Sequence, residues 1–215
     1  MSGRLVRVGL GGLIASGKSS LAAALVASAE LQDAIGGAVQ HLDVDALLRA
    51  ARSSDASLRD AILAVVPDAR SVDGSIDTKA LAARAFADPA VMSRLEELQW
   101  PVARAALNEA SRAAQARGVR LLLVEAIALG RSGLAEVLDG VLYLQVDEAV
   151  RRQRFVTRGG SADDFEMRNA AQAAIPAEMA RIGAVPIDGS GPLPESVHAA
   201  GLALRRLCLP RESID

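Results

Sequence analysis

Aromatic residues, cysteine and lysine are scarce in this chain of 215 residues. Aromatic side chains make up only 2% of it, so the core has to be built from alanine, leucine and valine, within a hydrophobic fraction of 51%. Cys208 is the only cysteine. A single cysteine excludes an internal disulfide and a multi-cysteine metal site, and it favours a reducing, cytoplasmic location.

An excess of one charge and long apolar runs are also missing. The formal net charge is −2, so no basic field indicates binding to nucleic acid. No apolar run approaches the roughly 18 residues that a membrane span needs. A strand pattern begins within the first few residues, so we expect no signal peptide. These features favour a small-molecule partner over nucleic acid or a membrane, and they leave the oligomeric state open.

Five apolar runs have the length of β-strands and alternate with helical Ala/Leu/Arg/Glu segments. Several of the runs are apolar on both faces, as in a parallel sheet that is covered by helices on both sides. This alternation predicts an α/β, three-layer domain with a parallel five-stranded sheet. The predicted strands are residues 4–10, 38–44, 119–126, 140–146 and 184–187.

The chain contains no obvious linker, so we predict one domain, 1–215, with two insertions. The stretch from Asp45 to about Gly118 is too long for one crossover helix and is predicted to be a helical insert. Within it, Pro101 should begin a new helix or kink a continuous one, and Asp77 or Thr78 should cap a helix. The predicted division is a core at 1–44, 118–158 and 183–215, the insert at 45–117 and a lid at 159–182.

The pattern G-x-x-x-x-G-K-[ST] follows the first predicted strand and precedes the first predicted helix. In such a loop, backbone N–H groups and a helix N-terminus hold a polyanionic phosphate chain. Lys18 should reach the β- and γ-phosphates, and the Ser19 hydroxyl should bind Mg²⁺. The predicted nucleotide-binding residues are Gly12, Leu13, Ile14, Ala15, Ser16, Gly17, Lys18, Ser19 and Ser20.

Two acidic positions follow predicted strands at the edge of the sheet where ligands bind in such folds. Asp45, with Asp43, ends the second strand and could accept the proton of a hydroxyl acceptor. It could equally be a helix cap, and spacing alone does not separate the two. Glu125 ends the strand "LLLVE" and resembles a Walker B carboxylate that holds Mg²⁺, although it could be a plain strand-end carboxylate.

Arginines recur at helical spacings of three and four after the fourth predicted strand. Arg151, Arg154 and Arg158 share one helix face that precedes Gly159-Gly160. A solvated charged face is the usual explanation. Beside a phosphate-binding loop, however, Arg154 and Arg158 are candidates for stabilising a transferring phosphoryl group. The histidines His41 and His198 are predicted to be structural or exposed.

The order of these motifs resembles the dephospho-CoA kinase family over most of the chain. The segments that carry the resemblance are "VGLGGLIASGKSSLAAAL", "LDVDALLR", "DGSIDTKALAARAFADP", "VLYLQVDEAVRRQRFVTR", "MRNAAQ" and "PIDGSG". The resemblance implies a P-loop kinase fold with an acceptor-binding region and a lid, and it matches Asp45 to the family's catalytic base. It also implies transfer of the γ-phosphoryl group of ATP to the ribose 3′-hydroxyl of dephospho-CoA, with the Mg²⁺ that Ser19 and Glu125 already indicate.

The sequence departs from the family pattern mainly on the acceptor side. Leu13 and Ala15 stand where glycine is usual, and Trp100 replaces the histidine of the family's "HP" pair. "IALGR", from Ile127 to Arg131, replaces "PLLFE". Changes of this kind in an acceptor pocket alter which molecule fits more than whether phosphoryl transfer occurs. Two alternatives therefore stand: a kinase of another nucleoside-like acceptor, or a non-catalytic ATP-binding homologue.

Overall fold

The computed structural model describes residues 4–209, which form ten α-helices and five β-strands. The strands are β1 (Val6–Gly12), β2 (Val39–Asp43), β3 (Leu121–Glu125), β4 (Gly140–Gln145) and β5 (Val185–Asp188). The helices are α1 (Lys18–Ala27), α2 (Ala29–Ile35), α3 (Val44–Ser54), α4 (Ala56–Val65), α5 (Thr78–Ala87), α6 (Pro89–Ala116), α7 (Glu148–Thr157), α8 (Ala162–Ala171), α9 (Ile175–Arg181) and α10 (Leu193–Cys208).

The five strands form one parallel sheet in the order β2-β3-β1-β4-β5. β1 is central, and its Val8 pairs with Leu123 on one side and with Gly140 on the other. Every residue of β3 is buried, which explains why its sequence is a continuous apolar run that ends in one acid. The predicted fold class and all five predicted strands are confirmed, with boundaries shifted by at most two residues.

The described residues form two compact units, 4–43 with 107–209 and Val44–Ala106. In the first unit, α1 and α10 pack on the sheet through buried leucines such as Leu10, Leu21 and Leu204. The second unit has a hydrophobic cluster of its own, with Ile62 and Leu63 of α4 fully or almost fully buried. The predicted division into core, insert and lid stays a prediction, and its residues 1–3 and 210–215 lie outside the described part of the chain.

Two local predictions within residues 44–106 are resolved by the helices. α6 continues through Pro101, so the proline is inside a helix of 28 residues rather than at the start of a new one. Asp77 is the N-cap of α5, and its side chain accepts hydrogen bonds from the backbone N–H groups of Lys79 and Ala80. Asp77, of the two residues considered, is therefore the cap.

Within the part of the chain that the structure describes, no helix has both the length and the apolar character needed to cross a membrane.

Candidate active site

The phosphate-loop motif occupies the turn between β1 and α1. Gly17 precedes the first residue of α1 with φ = 96°, a left-handed conformation that favours glycine. Ala15 is also left-handed, with φ = 58°, and it is the one such non-glycine residue in the described chain. The Ser16 N–H closes the turn by donating to the Leu13 carbonyl at 3.1 Å. The loop therefore adopts its shape although Leu13 and Ala15 replace the usual glycines.

Gly12 is required because neighbouring atoms leave no room for a side chain. A Cβ atom added there would lie 2.7 Å from Ser16 Oγ and 3.2 Å from the Leu144 carbonyl oxygen. The first of these contacts is closer than real Cβ atoms come, and the second involves backbone that cannot move cheaply. Both ends of the motif are thus fixed by glycine, for two different physical reasons.

Lys18 begins α1 and is 8% exposed. Its Nζ donates to the carbonyl oxygens of Gly12, at 2.9 Å, and Leu13, at 3.5 Å. A buried ammonium beside the loop and at a helix N-terminus places positive charge where a phosphate chain would need it.

Ser19, Glu125 and His41 form a hydrogen-bonded cluster next to the lysine. Ser19 Oγ donates to Glu125 Oε1 at 2.7 Å, and His41 Nε2 lies 3.0 Å from Glu125 Oε2, to which its Nε2–H tautomer donates. Glu125 is 4% exposed. Burial by itself raises the pKa of this carboxyl group. Hydrogen bonds from His41 and Ser19 and the charge of Lys18 outweigh the burial, so the pKa lies below its ordinary value.

The Ser19–Glu125 pair fits Mg²⁺ by its chemistry. Both side chains offer oxygen, the donor that this ion prefers, and Glu125 is held as a carboxylate. Among the described residues, no group of three or more His, Cys, Asp or Glu side chains could hold a metal. An ion at this place would therefore take its remaining ligands from phosphate oxygens and water, as Mg²⁺ commonly does in kinases.

Three side chains from later segments hold the loop in place. Ile14 donates its N–H to Gln172 Oε1 at 2.7 Å, and its carbonyl oxygen lies 3.5 Å from Nη1 of Arg151. Arg154 donates to the carbonyl of Ser16 at 3.1 Å through Nη1 and to that of Gly189 at 2.9 Å through Nη2. Segments about 140 to 160 residues away in the chain therefore determine the shape of the loop.

Arg151, Arg154 and Arg158, the arginines predicted to share one helix face, have different surroundings: the first two lie in α7 and Arg158 is its C-cap residue. Arg151 is buried; besides its contact with Ile14 it donates to Asn169 Oδ1 at 2.8 Å, and its guanidinium lies 5.6 Å from the Phe165 ring centre. Arg154 is half-buried, while Arg158 is exposed at the C-terminal end of α7. Only Arg154 and Arg158 line the cavity described next.

A cavity of about 600 Å³ adjoins the loop. Of the predicted nucleotide-binding residues, Ala15, Ser16, Gly17 and Ser20 line it. Ser16 Oγ is buried, and it has no hydrogen-bond partner among the described residues. An orphaned hydroxyl in a loop of N–H donors fits an anionic ligand such as phosphate. Gln153, Thr157 and Gly191 also line the cavity; the sequence did not single them out.

Asp45 lies in the first turn of α3, which begins at Val44. It is therefore inside the helix and not at the N-cap position, the alternative that its spacing left open. The side chain is half-buried.

The loop that departs from the family pattern after β3 has a packing role. Leu129 is fully buried, and its Cδ1 would lie 3.0 Å from a Cβ at Gly9 and 3.6 Å from one at Gly11. Arg131 Nη1 lies 3.4 Å from Oε1 of Glu178 in α9. The changed segment thus covers the glycine-rich end of β1 and links this loop to α9.

The sequence does not identify the residues that hold Glu125 and the phosphate loop in place. His41, predicted to be structural or exposed, contacts the carboxylate of Glu125. Pairing of β2 with β3 places His41 opposite Leu123, on the same face of the sheet as Glu125 two residues later, and this strand order cannot be taken from the sequence. Gln172 does lie in a segment that the sequence marks, "MRNAAQ", but its bond to the phosphate loop could not be read from spacing.

Comparison with known proteins gives one consistent result. The family model of dephospho-CoA kinase matches residues 6–193. The dephospho-CoA kinase of Anaeromyxobacter dehalogenans is 35% identical over 202 residues, which cover 93% of this chain and 90% of the relative. That of Deinococcus radiodurans is 32% identical over 205 residues, which cover 94% of this chain and 92% of the relative.

Solved structures agree with the sequence relatives. TT1252 from Thermus thermophilus superposes with a TM-score of 0.74 at 28% identity and covers 96% of this chain and 100% of its own. Dephospho-CoA kinase from Campylobacter jejuni has a TM-score of 0.51 at 16% identity, covers 94% of this chain and 97% of its own, and supports the fold alone. The resemblance inferred from the motifs is confirmed: the chain belongs to the dephospho-CoA kinase family.

Proposed function

We propose that this protein transfers the γ-phosphoryl group of ATP to the ribose 3′-hydroxyl of dephospho-CoA, the final phosphorylation of coenzyme A biosynthesis. One observation carries the proposal. At the phosphate loop of a chain of this family, Lys18 bonds to the Gly12 carbonyl and the neighbouring Ser19 donates to Glu125. We place the reaction in the cytoplasm, in keeping with the single buried cysteine.

The donor half of the reaction is assigned to the loop and its cavity. Loop N–H groups and Lys18 bind the β- and γ-phosphates, while Arg154 fixes the loop through the Ser16 carbonyl. Ser19 and Glu125 would hold Mg²⁺, which when bound neutralises phosphate charge. The predicted role of Arg158 is to contact the transferring group, because it is exposed and lines the same cavity.

Asp45 is proposed as the base on the acceptor side. Its carboxylate takes the proton of the 3′-hydroxyl while the hydroxyl oxygen forms a bond to the γ-phosphorus. The bond between that phosphorus and the β–γ bridging oxygen breaks, and ADP leaves with the electron pair. Lys18, close to that oxygen in this arrangement, stabilises the charge that develops there.

An acceptor panel tests this assignment. ADP release is measured for the wild type with dephospho-CoA, adenosine and a sugar acid, and for Asp45→Asn with dephospho-CoA. We expect dephospho-CoA to be preferred, and the substitution to lower kcat by roughly 10²- to 10⁴-fold without loss of folding. Release of ADP with another acceptor but not with dephospho-CoA would overturn the acceptor. Binding of ATP without any turnover would overturn the kinase assignment.

A further inference from the structure

A second cavity, of about 350 Å³, lies wholly within residues 44–106. We call it the arginine cavity, because α3 and α4 contribute three guanidinium groups to it. The described residues that line it are Arg49, Arg52, Ser53, Arg59, Ser75, Ile76 and Thr78. None of them is acidic, and all but Ile76 can donate a hydrogen bond from the side chain. Such a lining fits a polyanion.

The arginine cavity is positioned relative to Asp45 by the geometry of α3. Asp45, Arg49 and Arg52 are spaced by four and three residues, so they lie along one face of the helix. With a rise of about 1.5 Å per residue, the two arginines follow Asp45 by about 6 and 10.5 Å along the axis. The negative charge of Asp45 also acts on Arg52, where it works to raise the pKa of the guanidinium group.

Arg52 is held in a fixed orientation. Its Nε and Nη2 donate to Gln99 Oε1 at 2.9 and 2.5 Å. Gln99 is itself oriented, because its Nε2 donates to the Leu95 carbonyl at 2.9 Å. Two of the five N–H groups of Arg52 therefore hold the guanidinium group in place. A fixed guanidinium loses little side-chain entropy when it binds an anion.

The positive charge of this cavity is only weakly compensated. Burial and the like charge of Arg49 lower the pKa of Arg52, against the attraction of Asp45. Arg59 has a carboxylate at 3.8 Å from its Nε, that of Asp60, but the Asp60 side chain is 65% exposed. An exposed pair at that distance contributes little. The three cations that line this cavity repel one another, and a bound anion would offset that repulsion.

We propose that the arginine cavity binds the diphosphate of the nucleotide acceptor. This inference rests on the proposed function, in which Asp45 contacts the ribose 3′-hydroxyl. From O3′ to the 5′-phosphorus there are five bonds of roughly 1.5 Å each, which span about 6 Å. The axial rise of α3 between Asp45 and Arg49 is of the same size, about 6 Å. Guanidinium forks bind phosphate oxygens in pairs, so Arg49, Arg52 and Arg59 give the diphosphate its recognition.

The test measures the acceptor's KM in Arg52→Gln and Arg59→Gln, with Arg94→Gln as the matched control. Arg94 is an exposed arginine of the same unit that pairs with Glu97. We expect each cavity variant to raise the KM for dephospho-CoA by roughly 10- to 100-fold, the effect of losing charge-assisted hydrogen bonds. The KM for ATP should change less than about twofold, and the control should resemble the wild type.

Adenosine supplies a readout that separates recognition of the diphosphate from a merely structural role of the arginines. It has the ribose hydroxyls but no diphosphate, so its inhibition constant against dephospho-CoA should be equal in the wild type and the variants. Equal weakening of adenosine and dephospho-CoA would overturn the proposal, as would an unchanged KM for dephospho-CoA. Arg52→Gln also removes the hydrogen bonds to Gln99 and so could prevent folding. In that case Arg59→Gln alone tests whether the cavity binds the diphosphate.

Failure of the proposed function would be visible separately. A wild-type protein that neither binds nor phosphorylates dephospho-CoA overturns the acceptor assignment, and this inference with it, before any variant is made. A wild type that phosphorylates dephospho-CoA, with cavity variants that do so at an unchanged KM, overturns the inference alone.

Discussion

Ala15 shows how a single residue of the phosphate loop can carry strain. Its left-handed backbone, φ = 58°, costs an L-residue with a Cβ roughly 1–2 kcal/mol relative to the ordinary helical conformation. Glycine, the residue of the family pattern described above at this place, would remove the cost. The sequence indicated the substitution, but only the structure shows that the left-handed conformation is kept.

Replacing Ala15 by glycine should therefore be neutral or stabilising. The relief of strain offsets the greater freedom of glycine in the unfolded chain, which costs about 0.4–1 kcal/mol. Ala23→Gly, at an exposed position inside α1, should instead lower the free energy of unfolding by about 1 kcal/mol. Urea unfolding of both variants measures the difference, and equal destabilisation would contradict the strain at residue 15.

Glu125 should make stability depend on pH in the acid range. Its pKa in the folded protein is lowered, so its contribution is fully present above the unfolded-state pKa of about 4.3 and is lost as the pH falls through the folded pKa. The difference in unfolding free energy between the wild type and Glu125→Gln should narrow as the pH falls from 6 toward 3. A difference that is constant with pH, measured by urea titrations, would contradict the assigned bonds from Ser19 and His41.

Cys208 should be unreactive in the folded protein. It is 3% exposed, and burial raises the pKa of its thiol to about 11. The thiolate, which is the reactive form, is therefore scarce at pH 8. A colorimetric thiol reagent at pH 8 should label one group per chain in guanidinium and almost none in buffer. Rapid labelling of native protein would show that the C-terminal part of α10 opens.

At the scale of elements, helices that are distant in sequence stabilise the phosphate loop. α7 contributes Arg151 and Arg154, and the residue after α8 contributes Gln172, which accepts the Ile14 N–H. The existence of α7 and of its arginine stripe could be predicted from the spacing. Which arginine is buried could not, because the burial of Arg151 depends on Phe165 and Asn169 of α8, and pattern reasoning gave no way to place α8.

Pro101 should destabilise α6, which continues through it. A proline inside a helix removes one backbone hydrogen bond and crowds the preceding turn, and its side chain here is exposed. Pro101→Ala should raise the free energy of unfolding by about 1 to 3 kcal/mol.

Pro89→Ala is the matched control for that substitution. Pro89 is the first residue of α6, where a helix needs no N–H group, so the control should change stability little. Thermal unfolding measures both variants. A destabilised Pro101→Ala protein would mean that the ring has a packing role that its exposure does not indicate.

At the scale of the whole molecule, the sheet was predictable because each strand is marked by local sequence. Short apolar runs such as "LLLVE" that alternate with helical segments are typical of a parallel sheet covered on both faces, so the fold class followed from this alternation. The site was predictable where a motif is contiguous, as at Gly12 to Ser20. It was not predictable where one residue meets another far along the chain, as for His41 with Glu125, because strand order had first to be known.

Phosphorylation of the ribose 3′-hydroxyl of dephospho-CoA by ATP can be followed directly in the reaction products. The most direct measurement is a ³¹P NMR spectrum of the products formed from ATP, Mg²⁺ and dephospho-CoA, with Lys18→Ala as the control. We expect one new phosphomonoester on the 3′ position, ADP in equal amount, and a rate on the order of 100-fold lower in the control. Unconsumed ATP with folded wild-type protein, or phosphate on any other position, would contradict it.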